Sequence, residues 1–287
     1  MGYLWGMNKL PIAKRTQIVG CLVEGMSMRA TSRLCDVSIN TVTKLFVELG
    51  TACSAYQDKT LRGLTCKRIQ CDEIWAFVGS KEKNTTAESR AKGCGDVWTW
   101  LALDADTKLI PCWFVGNRDA GAAYHFMHDL AGRLANRVQL TTDGHRPYLT
   151  AVADAFGSEI DYAMLVKIYG GDNGSPERQY SPAQCMGAKR AVISGKPEAG
   201  HISTSFVERA NLTLRMGNRR FTRLTNAFSK KVENHEHSVA IHCMFYNFCK
   251  IHTSLRVTPA MEAGISDHVW EIQDLIALLD KKVEKAA

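Results

Sequence analysis

Residues 67–78, KRIQCDEIWAFV, constrain this chain most. A run rich in Ile, Trp, Phe and Val with alternating character reads as a β-strand, yet it carries two adjacent carboxylates, Asp72 and Glu73, at its centre. An acidic side chain among residues that otherwise look buried is costly unless it is paired or ligates a metal. The strand therefore has to serve both as a core element and as the carrier of a polar site. Asp72 is the candidate. Strict alternation turns Glu73 to the opposite face, which leaves it an accessory ligand at most.

The surrounding pattern places that strand. Residues 97–103 and 109–115 read as two further strands separated by the turn-like Asp104-Ala105-Asp106-Thr107, and a helical period covers 120–136. A short apolar strand at 138–142 and a helix after Pro147 complete the order β-β-β-α-β-α, the ribonuclease-H-like layout. One more strand fits 161–168. Residues 170–200 are rich in Gly, Pro, Ser and Lys and read as an insertion with little regular structure, outside the sheet. Residues 203–215 and 233–251 are helical in period. The expected fold class is α/β, a ribonuclease-H-like mixed sheet flanked by helices, preceded by a small all-α helix-turn-helix domain. The expected boundaries are 1–64 for the head and linker, 65–265 for the catalytic domain and 266–287 for a C-terminal helix.

The head comes from residues 10–50. Pro11 suits a first helical turn, and Ile12, Ile18, Val19, Leu22 and Val23 form an apolar stripe that stops at Gly25. A second helix spans about 28–34, a tight break follows at Cys35-Asp36-Val37, and Ser38 is a good N-cap for a third helix over 39–49. Helix, short turn, helix is an arrangement that reads the DNA major groove. Val42, Leu45 and Phe46 face the core, which leaves Asn40, Thr41, Thr43 and Lys44 outward for phosphate and base-edge contacts.

The formal net charge of +7 favours a polyanionic partner. Its location matters more. From 209 to 232 there is no acidic residue, while Arg209, Arg215, Arg219, Arg220, Arg223, Lys230 and Lys231 all fall in that stretch. A solvated helix face and a DNA-phosphate surface both fit such a run.

Two more carboxylates complete a candidate site. Asp143 ends the apolar strand within Thr141-Thr142-Asp143-Gly144, and strand ends are where α/β sites form. Glu208 opens the basic helix, and Arg215, almost two turns later, shares its face. Taken singly, Asp143 also fits a cap for the helix near Pro147, and Glu208 a first-turn acid favoured by the helix dipole. Together with Asp72 they fit a two-metal site, since phosphodiester chemistry uses two divalent ions about 4 Å apart and Mg²⁺ prefers carboxylates.

The strings DEIWAFVG, TTDG, SFVERANLTLR, RRFTRLTNAFSKK and NFCKIHTSLRVTPAMEAG resemble DDE transposases of the bacterial insertion-sequence-one group, in order and over nearly the whole chain. The resemblance implies a ribonuclease-H-like fold and carries the catalytic and metal-binding roles onto Asp72, Asp143 and Glu208. It implies two Mg²⁺ or Mn²⁺ ions, and Arg215 matches the basic residue that follows the group's Glu. The implied partners are double-stranded DNA, both element terminal repeats and target, and a second copy of the chain, because joining two ends takes at least a dimer. The interval between Asp143 and Glu208 is longer than in many members, and the segment 170–200 accounts for it.

Members of the group often begin with a zinc-binding cysteine motif. None of the ten cysteines here forms a C-x₂-C pair, so no structural zinc is expected. His235, His237, His242, Cys249 and His252 form a loose cluster that fits core and surface positions of an amphipathic helix better than a zinc site. His252, Ser254 and Arg256 resemble a His-x-Ser-Leu element of integrase-type transposases. Cysteines in apolar surroundings, with no long apolar run, point to a reducing compartment and no membrane span. The expected location is the bacterial cytoplasm, at the nucleoid when active. Two rivals stay open: a ribonuclease-H-like nuclease or resolvase that cuts without joining, and a non-catalytic DNA-binding regulator derived from a transposase.

Overall fold

The computed structural model describes residues 10–169, 185–222 and 225–280. Contacts divide the chain into two units, Met1–Thr60 with Phe77–Gly95 and Leu214–Ala287, and Leu61–Ala76 with Asp96–Thr213.

The first unit is built around the N-terminal helices α1 (Ile12–Val23), α2 (Met28–Leu34) and α3 (Ile39–Thr60). Ser27 caps α2 by accepting from the Ala30 amide at 3.1 Å, and Ser38 does the same for Thr41 at the start of α3. Between them Asp36 takes the left-handed conformation, φ 48°, that a tight turn needs. The third helix is longer than the sequence suggests, running through residues 50–60 to Thr60. Its extension is held by tertiary packing rather than propensity. Gly50 lies against α8 (Val232–Met244), where an added Cβ would stand 2.4 Å from His237 Cβ, and Gln57 Nε2 donates to the Ala240 carbonyl at 3.0 Å. Short helices α4 (Ala87–Ala91) and α9 (Pro259–Glu262) and the amphipathic α10 (Ile272–Asp280) complete this unit, and α8 continues into a π-turn at Phe245–Cys249. His235 and His242 are buried within it, His235 beside the Ser229 hydroxyl at 3.3 Å and His242 stacked on Tyr246. Burial lowers both rings to a pKa of about 3, so they stay neutral.

The second unit is a mixed α/β layer with helices flanking a six-stranded sheet of order β3-β2-β1-β4-β5-β6. The strands are β1 (Arg68–Val78), β2 (Gly95–Asp104), β3 (Trp113–Gly116), β4 (Val138–Thr142), β5 (Ile160–Tyr169) and β6 (Cys185–Ser194). Strands β1, β4 and β5 run parallel, while β3 and β6 pair antiparallel with β2 and β5. Helices α5 (Ala120–Ala131) and α6 (Pro147–Phe156) supply the crossovers, giving the order β-β-β-α-β-α read from the sequence. Asp119 caps α5 through the Ala122 amide, and Pro147 opens α6 where its missing N–H is harmless. Residues 69–71 and 73–74 are all buried, so both faces of β1 are covered.

Three further expectations change. The strand expected at 109–115 shortens to Trp113–Gly116, because Pro111 cannot donate to a ladder. The helix expected over 120–136 ends at Ala131. The segment 170–200 does not lie wholly outside the sheet: Cys185–Ser194 is a strand added to β5. Its composition hid it, since Gly187, Lys189 and Arg190 lower β-propensity, yet charges on an edge strand discourage further pairing. Residues 170–184 lie outside the described part, as do 281–287 of the expected C-terminal helix. No described helix is long and apolar enough to cross a membrane.

Candidate active site

Parallel pairing of Cys71 in β1 with Thr142 in β4 puts the next residues, Asp72 within β1 and Asp143 just past β4, side by side. The late helix α7 (Ser205–Gly217) is fastened over them by Gln70, whose side-chain oxygen accepts from the Phe206 and Val207 amides at 2.9 and 3.1 Å. These are amides that a helix start leaves without intrahelical partners. One turn on, Asn211 donates to Asp72 Oδ2 at 2.9 Å. Asp72, Asp143 and Glu208 consequently line one cavity of about 650 Å³, together with Arg118, His145 and Lys167.

Glu73 belongs to the site as well, against the alternation argument. Oxygens of Asp72, Glu73 and Asp143 lie within 4.8 Å of one another, a spacing that suits a shared cation. Alternation fixes the direction of Cβ and not the reach of a glutamate, and Asp143 stands beyond the end of its strand. The Glu73 side chain is 1% exposed. Its Oε2 accepts from Arg118 Nε at 2.9 Å, while the buried Oε1 makes no hydrogen bond of normal geometry and has the buried Tyr148 hydroxyl beside the carboxylate. Arg118 also reaches Asp143 Oδ2 at 3.3 Å and lies over the Trp98 ring at 5.0 Å. On the other side of the cavity Glu208 pairs with Lys167 Nζ and accepts from the Thr204 hydroxyl. Arg118 has no distinguishing sequence context. Asn211 was missed as well, although its place three residues after Glu208, on the same helix face, is a signal that could have found it.

Crowded, desolvated carboxylates resist ionisation. Burial, then the Asp143 and Glu208 charges, push Asp72 up to about 6, against the pull of Asn211. Burial and Asp143 push Glu73 up to about 7, opposed by Tyr148 and Arg118. Burial, with Arg118, lowers His145. Such a set is short of positive charge, and a divalent ion would supply it.

The residues expected to touch DNA differ in exposure. Asn40 and Lys44 are exposed, whereas Thr41 and Thr43 are half-buried with hydroxyls engaged by Ser38 Oγ and the Ile39 carbonyl. Arg209, Arg219, Lys230 and Lys231 are exposed, and Arg215 occupies the last turn of α7. Arg220 is drawn inward, and Arg223 lies outside the described residues.

No protein-family model matches the chain, and no curated protein matches it. Among solved structures, a piggyBac transposase synaptic complex with hairpin DNA aligns at 10% identity and TM-score 0.39, covering 95% of this chain and 72% of that one. A Mos1 mariner paired-end complex with Mn aligns at 8% identity and TM-score 0.27, covering 84% and 78%. A pre-cleavage Mos1 transpososome aligns at 9% identity and TM-score 0.25, covering 83% and 80%. Superpositions this loose leave the functional reading to the carboxylates themselves.

Proposed function

We propose that this chain is a DNA transposase of the insertion-sequence-one type, cutting element ends and joining them to target DNA with divalent metal ions. The observation that carries the reading is the convergence of Asp72, Asp143 and Glu208 on one cavity from β1, the end of β4 and α7, with Glu73 buried beside the two aspartates. Asp72 and Asp143 are suited to hold a cation jointly, with Glu208 across the cavity as the third carboxylate. Glu73, buried with its carboxylate close to those of Asp72 and Asp143, is suited as an additional ligand or as the anchor that fixes Arg118. When bound, Mg²⁺ or Mn²⁺ would activate the attacking oxygen and stabilise the leaving one.

The protein groups have roles of their own. Asn211 orients the Asp72 carboxylate, and the Gln70 clamp holds α7 in register so that Glu208 faces the cavity. Arg118 and Lys167 balance the carboxylates and are placed to meet a phosphate at the rim. The helices α2 and α3 are proposed to read the element ends through Asn40, Thr41, Thr43 and Lys44, with the basic residues after Arg209 holding strands. Two copies act together on two ends.

A strand-transfer assay with a pre-cut oligonucleotide end and a plasmid target tests this. Joined products that require Mg²⁺ or Mn²⁺ are expected. Nicking without joining would replace the transposase by a simple nuclease, and neither product would leave a DNA-binding regulator.

A further inference from the structure

Inside the first unit lies a second cavity, of about 620 Å³, bounded by the α1–α2 turn, the start of α3, residues 217–220, residues 226–230 and α8. Its charged lining is wholly cationic: Arg29, Arg219, Arg220 and Lys230 face it, and no acidic residue does among those described. Three of the four are exposed at the rim, whereas Arg220 is largely sunk into the wall.

Arg220 is the unusual member. Its guanidinium lies over the Phe46 ring at 4.8 Å and donates to Ser229 Oγ at 3.1 Å and to the Met28 thioether at 3.5 Å. An arginine carries five N–H donors, and both acceptors found here are uncharged. Among the described residues no carboxylate pairs with it. The neighbouring imidazoles His235 and His237 offer no negative charge. A desolvated cation without a counter-ion is unfavourable unless something supplies the anion, and a planar guanidinium with free donors matches a phosphate.

We propose that this cavity is a phosphate-binding site, and that its ligand is a backbone phosphate of the duplex read by α3. Thr43 of α3 lines the cavity while Asn40 and Lys44 stand exposed on the same helix, so a strand followed by that helix passes the rim. The site rests on the proposed DNA-binding function, and it adds a fixed contact in a different unit from the carboxylates.

The test uses full-length wild type, Arg29→Ala, Arg220→Gln and Arg220→Lys. Duplex DNA affinity is measured by fluorescence anisotropy across a salt series, and thermal stability in sodium phosphate against sodium chloride at equal ionic strength. The expected result for Arg29→Ala and Arg220→Gln is duplex binding weaker by about tenfold whatever the sequence, with a salt slope smaller by about one. Arg220→Lys should recover part of the affinity, and circular dichroism verifies that each variant is folded. Loss of phosphate protection with unchanged duplex affinity supports the site but assigns it to a free phosphate. Folded variants with wild-type affinity, slope and phosphate response overturn it. Because these readouts need no metal, failure of the proposed catalysis and failure of this site remain distinguishable.

Discussion

Replacing Asp72 by Asn should stabilise the metal-free protein while destroying its response to metal. Asp72 ionises at about 6 in the folded chain against an ordinary 3.8. A raised carboxylate pKa means that the folded state holds the proton more tightly. Its contribution to stability is thus fully present below 3.8 and is lost as pH rises through 6. The gap of about 2 pH units corresponds to about 3 kcal/mol at pH 8, falling to about half of that at pH 5. Asparagine cannot ionise and still offers an oxygen to Asn211, so the variant escapes the penalty. Urea denaturation in EDTA should show Asp72→Asn more stable than wild type by about 2–3 kcal/mol at pH 8, with the gain shrinking toward pH 4. Millimolar Mn²⁺ should raise the wild-type midpoint at pH 8 and leave the variant unmoved. A variant less stable than wild type at pH 8, or one that keeps the Mn²⁺ response, would refute the picture of a desolvated, charge-crowded cluster.

Other consequences follow from neighbouring contacts. Arg118→Ala leaves Glu73 and Asp143 uncompensated, so the protein in EDTA should melt earlier and its Mn²⁺-induced rise in Tm should be larger than wild type; an unchanged rise would remove Arg118 from the site. Asn211→Ala removes a hydrogen bond that favours the ionised Asp72, and the acid limb of the cleavage pH profile should move to higher pH. Gly50→Ala should cost about 1–3 kcal/mol by overpacking against His237, although alanine is the better helix former by about 1 kcal/mol; thermal denaturation decides which effect wins.

Much of this arrangement was legible in the sequence, for identifiable reasons. A carboxylate inside an apolar strand is costly unless paired or ligating a metal, which drew attention to Asp72, and Thr-Thr-Asp-Gly at a strand end did the same for Asp143, although each taken singly also fits a structural role. Parallel pairing then brings them together with no further information. Glu208 lay across a long interval, and its place in the cavity depends on Gln70 gripping α7, a side-chain contact no periodicity reveals. Glu73 was assigned to the wrong environment because alternation describes backbone direction, whereas burial on both faces of β1 and the length of the side chain decide where its carboxylate ends. Strand β6 was invisible for a different reason, since an edge strand paired on one side needs few apolar residues and here has Lys189 and Arg190. The inward turn of Arg220 was equally hidden in a run of cations.

Nicking of supercoiled plasmid in Mg²⁺ or Mn²⁺, comparing wild type with Asp72→Asn, Asp143→Asn and Glu208→Gln at equal DNA occupancy, tests the central claim most directly. The carboxylates are proposed to serve the chemistry and not the binding of DNA. Wild type should nick only with metal, and each variant should bind DNA about as well as wild type yet leave the plasmid intact. Full cleavage by any one of the three would contradict the assignment.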